Sequence, residues 1–233
     1  MREGASVRNH GRVVALAVAP AALCVALVAH PFIAGRLPNE AAIAEGVTAG
    51  TMTWALVHLA AAVASALTII AFLAVRSYLQ EAGENTRSAP AVPLVVVGGT
   101  LFAVLPGMEF APLAAAETGA TTAEIAAAQG AIVNWFVLVL VVGAIAFAAG
   151  VFLFAAAISS ARVADGGLTR VVVIALIVMA LSRFVPFAVA QFYVQGVAAL
   201  VALWPLAYLM WTRPVPQTQL GAANRHGLNP AGR

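Results

Sequence analysis

The sequence predicts an all-α, polytopic membrane protein: a bundle of six transmembrane helices whose N- and C-termini both lie in the cytoplasm. Of its 233 residues, 63% are hydrophobic and only 9% are charged, and the mean hydropathy is +0.98. A soluble domain carries roughly 25% charged residues. Most of the chain must therefore face lipid or other apolar helices, and the positions of the apolar runs and of the arginines supply the rest of the topology.

Six apolar runs are long enough to cross a bilayer, which takes about 20 residues for a helix. They predict spans at 12–33, 52–76, 92–112, 130–158, 169–189 and 192–212. The first run exceeds the apolar stretch of about 7–15 residues in a signal peptide, so we predict a membrane helix there. Polar segments separate the spans, except that a very short turn around 187–195 joins the last two. Residues 1–212 thus form one bundle, and the polar segment 213–233 is predicted to be a disordered cytoplasmic tail.

The arginines orient the bundle. The chain contains no lysine, and with the N-terminus inside, ten arginines fall in cytoplasmic segments: Arg2, Arg8, Arg12, Arg76, Arg87, Arg162, Arg170, Arg213, Arg225 and Arg233. The loops of the other side hold only Arg36, together with four glutamates. This asymmetry follows the positive-inside rule. The arginine usage and the abundance of Ala, Val and Gly indicate a GC-rich bacterium, so we predict a multi-pass protein of the bacterial cytoplasmic (inner) membrane.

The composition also excludes several kinds of site. Without lysine there is no retinal or pyridoxal Schiff base and no Walker-type nucleotide site. The single cysteine, Cys24, cannot form a disulfide or a cysteine zinc site within the chain. The net charge of +3 follows from the arginine asymmetry, so nucleic acid is not an expected partner, whereas a basic cytoplasmic rim favours anionic lipids.

Ionisable and polar residues inside spans are the best sequence indicators of function, because burying them in hydrocarbon costs several kcal/mol. At a rise of about 1.5 Å per residue, the six such residues all fall in the outer half of the bilayer. They predict a polar, ligand-binding pocket that opens toward the extracytoplasmic side. Trp54 and Trp135 lie near its depth, where the interfacial aromatic belt is the favoured interpretation. The six predicted pocket residues are His30, His58, Glu109, Asn134, Arg183 and Gln191.

Several arrangements of this cluster stay open at the level of sequence. Glu109 and Arg183 could form an intramembrane ion pair. His30, His58 and Glu109 could form a metal triad, although they are scattered over three helices without a short ligand spacing, so no metal site is predicted. His30 and His58 could also be the axial ligands of a haem. The sequence names no catalytic residue and no cofactor.

Three classes of function are compatible with this pattern. The first is a non-catalytic accessory or subunit protein with a polar pocket in the outer leaflet, docked to a membrane partner or to a second copy of itself. The second is a binding protein for a small ligand, a quinone, a haem or a metal. The third is an enzyme or ion-coupled transporter that uses the same residues.

Small residues on one face of the fourth span, such as Gly143 and Gly150, predict close helix contacts.

Overall fold

The computed structural model describes residues 2–213, with side chains from residue 9 onward. It confirms the all-α fold and contains six helical segments long and apolar enough to span a membrane. Apart from Arg213, the predicted tail 213–233 lies outside the described residues. The α-helices are α1 (Arg2–Val28), α2 (Glu40–Ala49), α3 (Thr51–Glu81), α4 (Ser88–Met108), α5 (Phe110–Glu117), α6 (Thr122–Ala161), α7 (Gly166–Leu181) and α8 (Gln195–Thr212).

The spans form a closed ring. Each span packs against the next one along the chain, and α8 returns to pack against α1. Phe72 packs on Phe147 and on Phe154 inside the ring, at 5.8 Å and 5.2 Å between ring centroids. Large apolar side chains such as Val25 and Ile145 are exposed on its outside. This inside-out distribution is expected of a protein that is solvated by lipid.

The structure differs from the sequence prediction at several ends of the spans and in the segment between the first two spans. The polar segment 35–46 contains part of a helix, α2, because Asn39 caps it by accepting a hydrogen bond from the Ala42 N–H at 3.2 Å. The third span continues to Glu117 and is interrupted at Glu109, between α4 and α5. The fourth span begins at Thr122, more than two turns before its predicted start at 130, and the capping box of Thr121 and Glu124 fixes this start.

The very short connection predicted between the last two spans is present, but it lies at 185–188 rather than around 187–195. The 3₁₀ turn Ser182–Phe184 ends the fifth span, and the π-helix Val189–Val194 already begins the sixth. Pro186 explains the difference, because the residue before a proline is driven out of the helical region, and Val185 is extended with ψ of 117°. The chain re-enters a helix within a few residues, so most of the predicted turn is helical.

Glycines allow α4 and α6 to approach closely, as predicted for the face that carries Gly143 and Gly150. A Cβ added at Gly150 would lie 2.7 Å from Val95 Cγ2 and 2.9 Å from the Val95 nitrogen. One added at Gly143 would lie 3.1 Å from Leu101 Cβ. The two backbones are thus in contact through small residues, the usual basis of helix association where lipid provides no hydrophobic driving force.

Glu84 lies just before the start of the third span, at the end that is predicted to be cytoplasmic, and caps its first N–H groups. Its Oε1 accepts from the Arg87 N–H at 2.8 Å and its Oε2 from the Ser88 N–H at 3.1 Å. Burial raises the pKa of Glu84, but the hydrogen bonds from Ser88 and Arg87 and the charge of Arg87 outweigh it and lower that pKa below its ordinary value. The carboxylate therefore stabilises the fold above the unfolded-state pKa, and this contribution is lost as the pH falls through the lowered folded-state pKa.

We expect Glu84→Ala to lower the free energy of unfolding by about 1 kcal/mol at neutral pH, the usual effect of losing a helix cap. The difference from the wild type should shrink as the pH falls through the lowered pKa of Glu84, because the wild-type carboxylate is then protonated. Reversible unfolding in mixed micelles at a series of pH values measures it. Glu117→Gln, at an exposed carboxylate, is the control. A difference that grows with acidification would contradict this assignment.

Candidate functional site

A cavity of about 100 Å³ lies inside the ring, between the halves of the spans that are predicted to lie in the extracytoplasmic half of the bilayer. Five of the six predicted pocket residues line it: His30, His58, Glu109, Arg183 and Gln191. Its other walls are mostly apolar and include Leu23, Leu27, Ile33, Phe102, Leu105, Phe136, Leu140 and Phe192. The cavity therefore combines an apolar chamber with a few convergent polar groups, as small-molecule sites do.

Asn134, the sixth predicted residue, does not line the cavity and is exposed on α6. The reason is its position around the helix. Phe136 and Leu140 form the α6 wall of the cavity, and a residue two positions away is turned by about 200° around the helix axis. Depth alone placed Asn134 with the other residues, but the rotation of α6 directs it away from them.

His30 and His58 meet across the cavity with their Nε2 atoms 3.2 Å apart. His30 follows the end of α1, and its Nδ1 lies 2.8 Å from the carbonyl oxygen of Pro31. His58 lies on α3, and its Nδ1 is 2.7 Å from the Trp54 carbonyl oxygen. Since a carbonyl oxygen only accepts, each Nδ1 carries a hydrogen and donates it. Both Nε2 atoms are consequently turned toward each other.

Trp54 supports this arrangement from the preceding turn of α3. Its ring stacks on His58 at 4.4 Å between centroids, and its Nε1 donates to the Glu109 carbonyl oxygen at 3.2 Å. The side chain is buried, so the interfacial-belt interpretation is wrong for Trp54, whereas Trp135 is exposed. Trp54 connects the histidine pair to the break in the third span.

Glu109 occupies that break, and its side chain is only 7% exposed. Its Oε1 accepts from Gln129 Nε2 at 3.2 Å, while its Oε2 is buried without a hydrogen-bond partner. Gln129 is fully buried, and its own Oε1 is likewise unsatisfied. Sequence reasoning missed Gln129, because the fourth span was predicted to begin one residue later. An amide next to a long apolar run was the available signal.

Arg183 lies in the 3₁₀ turn after α7, with its guanidinium carbon 4.6 Å from the centroid of Phe102. This is a cation–π contact. Its Nε is buried without a hydrogen-bond partner. Within the described part of the chain Arg183 makes no ion pair with Glu109, so this possible pair does not form. Instead, Arg183 contacts the ring of Phe102, and Glu109 accepts a hydrogen bond from Gln129.

Gln191, on the π-helix, holds the connection between the last two spans rather than pointing a free amide into the cavity. Its Nε2 donates to the carbonyl oxygen of Val185 at 3.1 Å. This bond fixes the short segment that follows Arg183. Gln191 therefore positions one wall of the cavity, while His30, His58 and Arg183 line it with ionisable side chains.

The metal and haem arrangements fit this geometry poorly. Among the side chains of residues 9–213 no group of three or more His, Cys, Asp or Glu residues could hold a metal ion, so the possible triad is not assembled. Axial haem ligands lie about 4 Å apart, twice a metal–nitrogen bond, compared with the 3.2 Å between the two Nε2 atoms. The groups that the cavity presents to a ligand are instead an arginine, a histidine pair and apolar walls.

Comparison of the chain with models of protein families, with curated proteins and with solved structures found no match. The functional interpretation therefore depends on the chemistry of the cavity.

Proposed function

We propose that this protein is a multi-pass protein of the bacterial cytoplasmic membrane that binds a small amphiphilic anion in the outer half of its helix ring. The observation that carries this proposal is Arg183, a cation at an apolar cavity without a carboxylate partner among the described residues. An uncompensated charge in an apolar site is costly. An anionic oxygen of a ligand would compensate it.

The free donor of Arg183 supports an acceptor ligand. Its Nε has no hydrogen-bond partner, and a guanidinium fork suits carboxylate, phosphate or sulfonate oxygens. Much of the remaining lining consists of leucine, isoleucine and phenylalanine side chains, which suit a short alkyl or aryl group. A quinone could accept hydrogen bonds here, but it would leave the positive charge without compensation.

The placement of the charged ends supports the membrane orientation. In an up-and-down ring of six spans, the connections 82–87 and 162–165 lie at the same end as the start of α1. Arg87 and Arg162 lie in those connections, and Arg76 and Arg170 lie close to them, whereas Arg36 lies at the opposite end, near the cavity. By the positive-inside rule the cavity then belongs to the extracytoplasmic half.

A matched series of short amphiphiles tests the proposed function. We expect hexanesulfonate to bind the purified protein at least about tenfold more tightly than hexanol or hexylamine, because one charge-assisted hydrogen bond is worth about 1.5–3 kcal/mol. Arg183→Gln should lose this preference. Thermal stabilisation and isothermal titration calorimetry in a maltoside detergent measure both effects.

Arg36→Gln provides the control, because Arg36 is an exposed arginine at the same end of the bundle that does not line the cavity. It should bind hexanesulfonate like the wild type. Equal binding of the sulfonate and the alcohol, or unchanged binding by Arg183→Gln, would contradict the proposed function. Failure of every probe to bind a stable wild-type protein would instead favour the non-catalytic accessory role.

A further inference from the structure

We infer that His30 and His58 hold a single proton between their Nε2 atoms, and that the cavity binds its anion together with this proton. The inference rests on the proposed function for the anion, but the proton site itself follows from the geometry of the two rings. It narrows the ligand class to weak acids, which would enter as the neutral acid and be held as an anion and a proton.

Counting hydrogens leads to this assignment. Each Nδ1 lies 2.7–2.8 Å from a carbonyl oxygen and so must be a donor. Two neutral rings of this tautomer would direct two lone pairs at each other over 3.2 Å. That distance is within the range of a hydrogen bond, which requires one more hydrogen. Three N–H groups on two rings give the pair a charge of +1.

A proton fits this position better than a metal ion. A zinc or copper ion would need additional ligands, and no third metal-binding side chain joins the pair among those described, from residue 9 to residue 213. A proton needs only the two nitrogen atoms. A shared proton gives the pair a charge of +1, which is repelled less by the nearby Arg183 cation than the charge of +2 of a bound metal ion would be.

Two other charged or titratable side chains line the cavity with the pair. Arg183 enters from the turn after α7, and Glu109 enters from the break between α4 and α5. Glu109 Oε1 is occupied by Gln129 on α6. The lining side chains from α1, α6, the π-helix and the segment 33–43 are uncharged. The histidine pair and Arg183 are therefore the two cationic groups available to an anion.

Proton and anion binding reinforce each other by linkage. When a weak acid enters, its O–H bond breaks, the proton passes to the Nε2 pair, and the anionic oxygen is held beside Arg183. When a strong-acid anion enters, the proton comes from solvent. Raising the pH should then weaken anion binding by up to about tenfold per pH unit, the limiting slope for one linked proton.

Nuclear magnetic resonance on the wild type tests the proton site directly. In ¹⁵N-histidine-labelled protein in nanodiscs, we expect a two-bond N–N coupling across the His30–His58 hydrogen bond, and its loss in His58→Asn. Asn retains a donor for the Trp54 carbonyl but has no Nε2. Absence of the coupling throughout about pH 5–8, where histidine ordinarily titrates, would overturn the inference. So would stoichiometric zinc or copper that the wild type retains on purification and His58→Asn loses.

Calorimetry tests the linkage to the anion. Hexanesulfonate stays ionised in this pH range, so any pH dependence of its affinity belongs to the protein. The affinity should fall as the pH rises in the wild type and in His10→Asn, a control at an exposed histidine, and the slope should vanish in His58→Asn. A pH-independent wild-type affinity would overturn the linkage. Absence of sulfonate binding would refute the proposed function, while the N–N coupling still decides the proton site.

Discussion

Gly98→Ala is expected to lower the free energy of unfolding by about 2 kcal/mol or more. A Cβ added at Gly98 would lie 2.5 Å from the Phe147 nitrogen and 2.7 Å from its Cα. Because these are backbone atoms of α6, a change of rotamer cannot relieve the clash. The two helices must separate, and overpacking of this kind typically costs 1–3 kcal/mol. Phe147 also packs against Phe72 and Phe102, so the displacement would disturb the centre of the ring.

Gly107→Ala is the matched control on the same helix. A Cβ at Gly107 would meet nothing within 4 Å, and alanine is favoured over glycine in a helix by about 0.5–1 kcal/mol. This variant should be as stable as the wild type or slightly more stable. Steric-trap unfolding or thermal denaturation in the same detergent compares the two. Equal stability of Gly98→Ala and Gly107→Ala would contradict the close α4–α6 contact.

Glu81→Gln is expected to lower the free energy of unfolding by about 3 kcal/mol, the lower end of the cost of breaking a buried ion pair. Arg12 is only 7% exposed, and its guanidinium donates to both carboxylate oxygens of Glu81 at 2.7 Å and to Ser77 Oγ at 2.6 Å. The contact joins α1 to α3 at the predicted cytoplasmic end. In the variant, the buried Arg12 guanidinium would have only a neutral side-chain amide at position 81 and the Ser77 hydroxyl as hydrogen-bond acceptors.

A double-mutant cycle separates this pair from the other effects of each change. We expect Arg12→Gln and Glu81→Gln each to destabilise strongly and the double variant to lose less than their sum, since residues in direct contact are non-additive. Arg170→Gln, at an exposed arginine, should change the stability by no more than about 0.5 kcal/mol. Additive losses in the cycle would show that the bidentate contact contributes no coupling energy.

Sequence reasoning predicted the six spans because their signal is local. Each span is a run of apolar residues whose preference for the bilayer depends on its own composition. The errors occur where a few residues decide the outcome. Asn39 starts α2 in a polar segment between two predicted spans, and Pro186 moves the last turn toward the N-terminus. Span ends depend on caps and prolines, which a hydropathy average does not register.

The site was predicted by depth, and depth brought five of six residues to one cavity. It could not separate Asn134 from Phe136, because both lie at nearly the same height on opposite sides of α6. It also suggested a Glu109–Arg183 pair, whereas Glu109 bonds to Gln129 and Arg183 lies over Phe102. Which residues line the cavity and which of them make contact depends on their positions around each helix axis, and helix packing sets those positions.

The sequence by itself determined that this chain crosses a membrane six times, because the transfer of apolar residues into lipid depends mainly on each segment alone. The tertiary structure alone decided which polar groups meet. Helix rotation follows from contacts such as those of Gly98 and Gly150, and these involve residues far apart in the chain. The break at Glu109 illustrates both contributions. In the sequence, an acidic residue near Pro106 marks a helix end. Only the tertiary structure shows that Gln129 and Trp54 are the hydrogen-bond partners of Glu109.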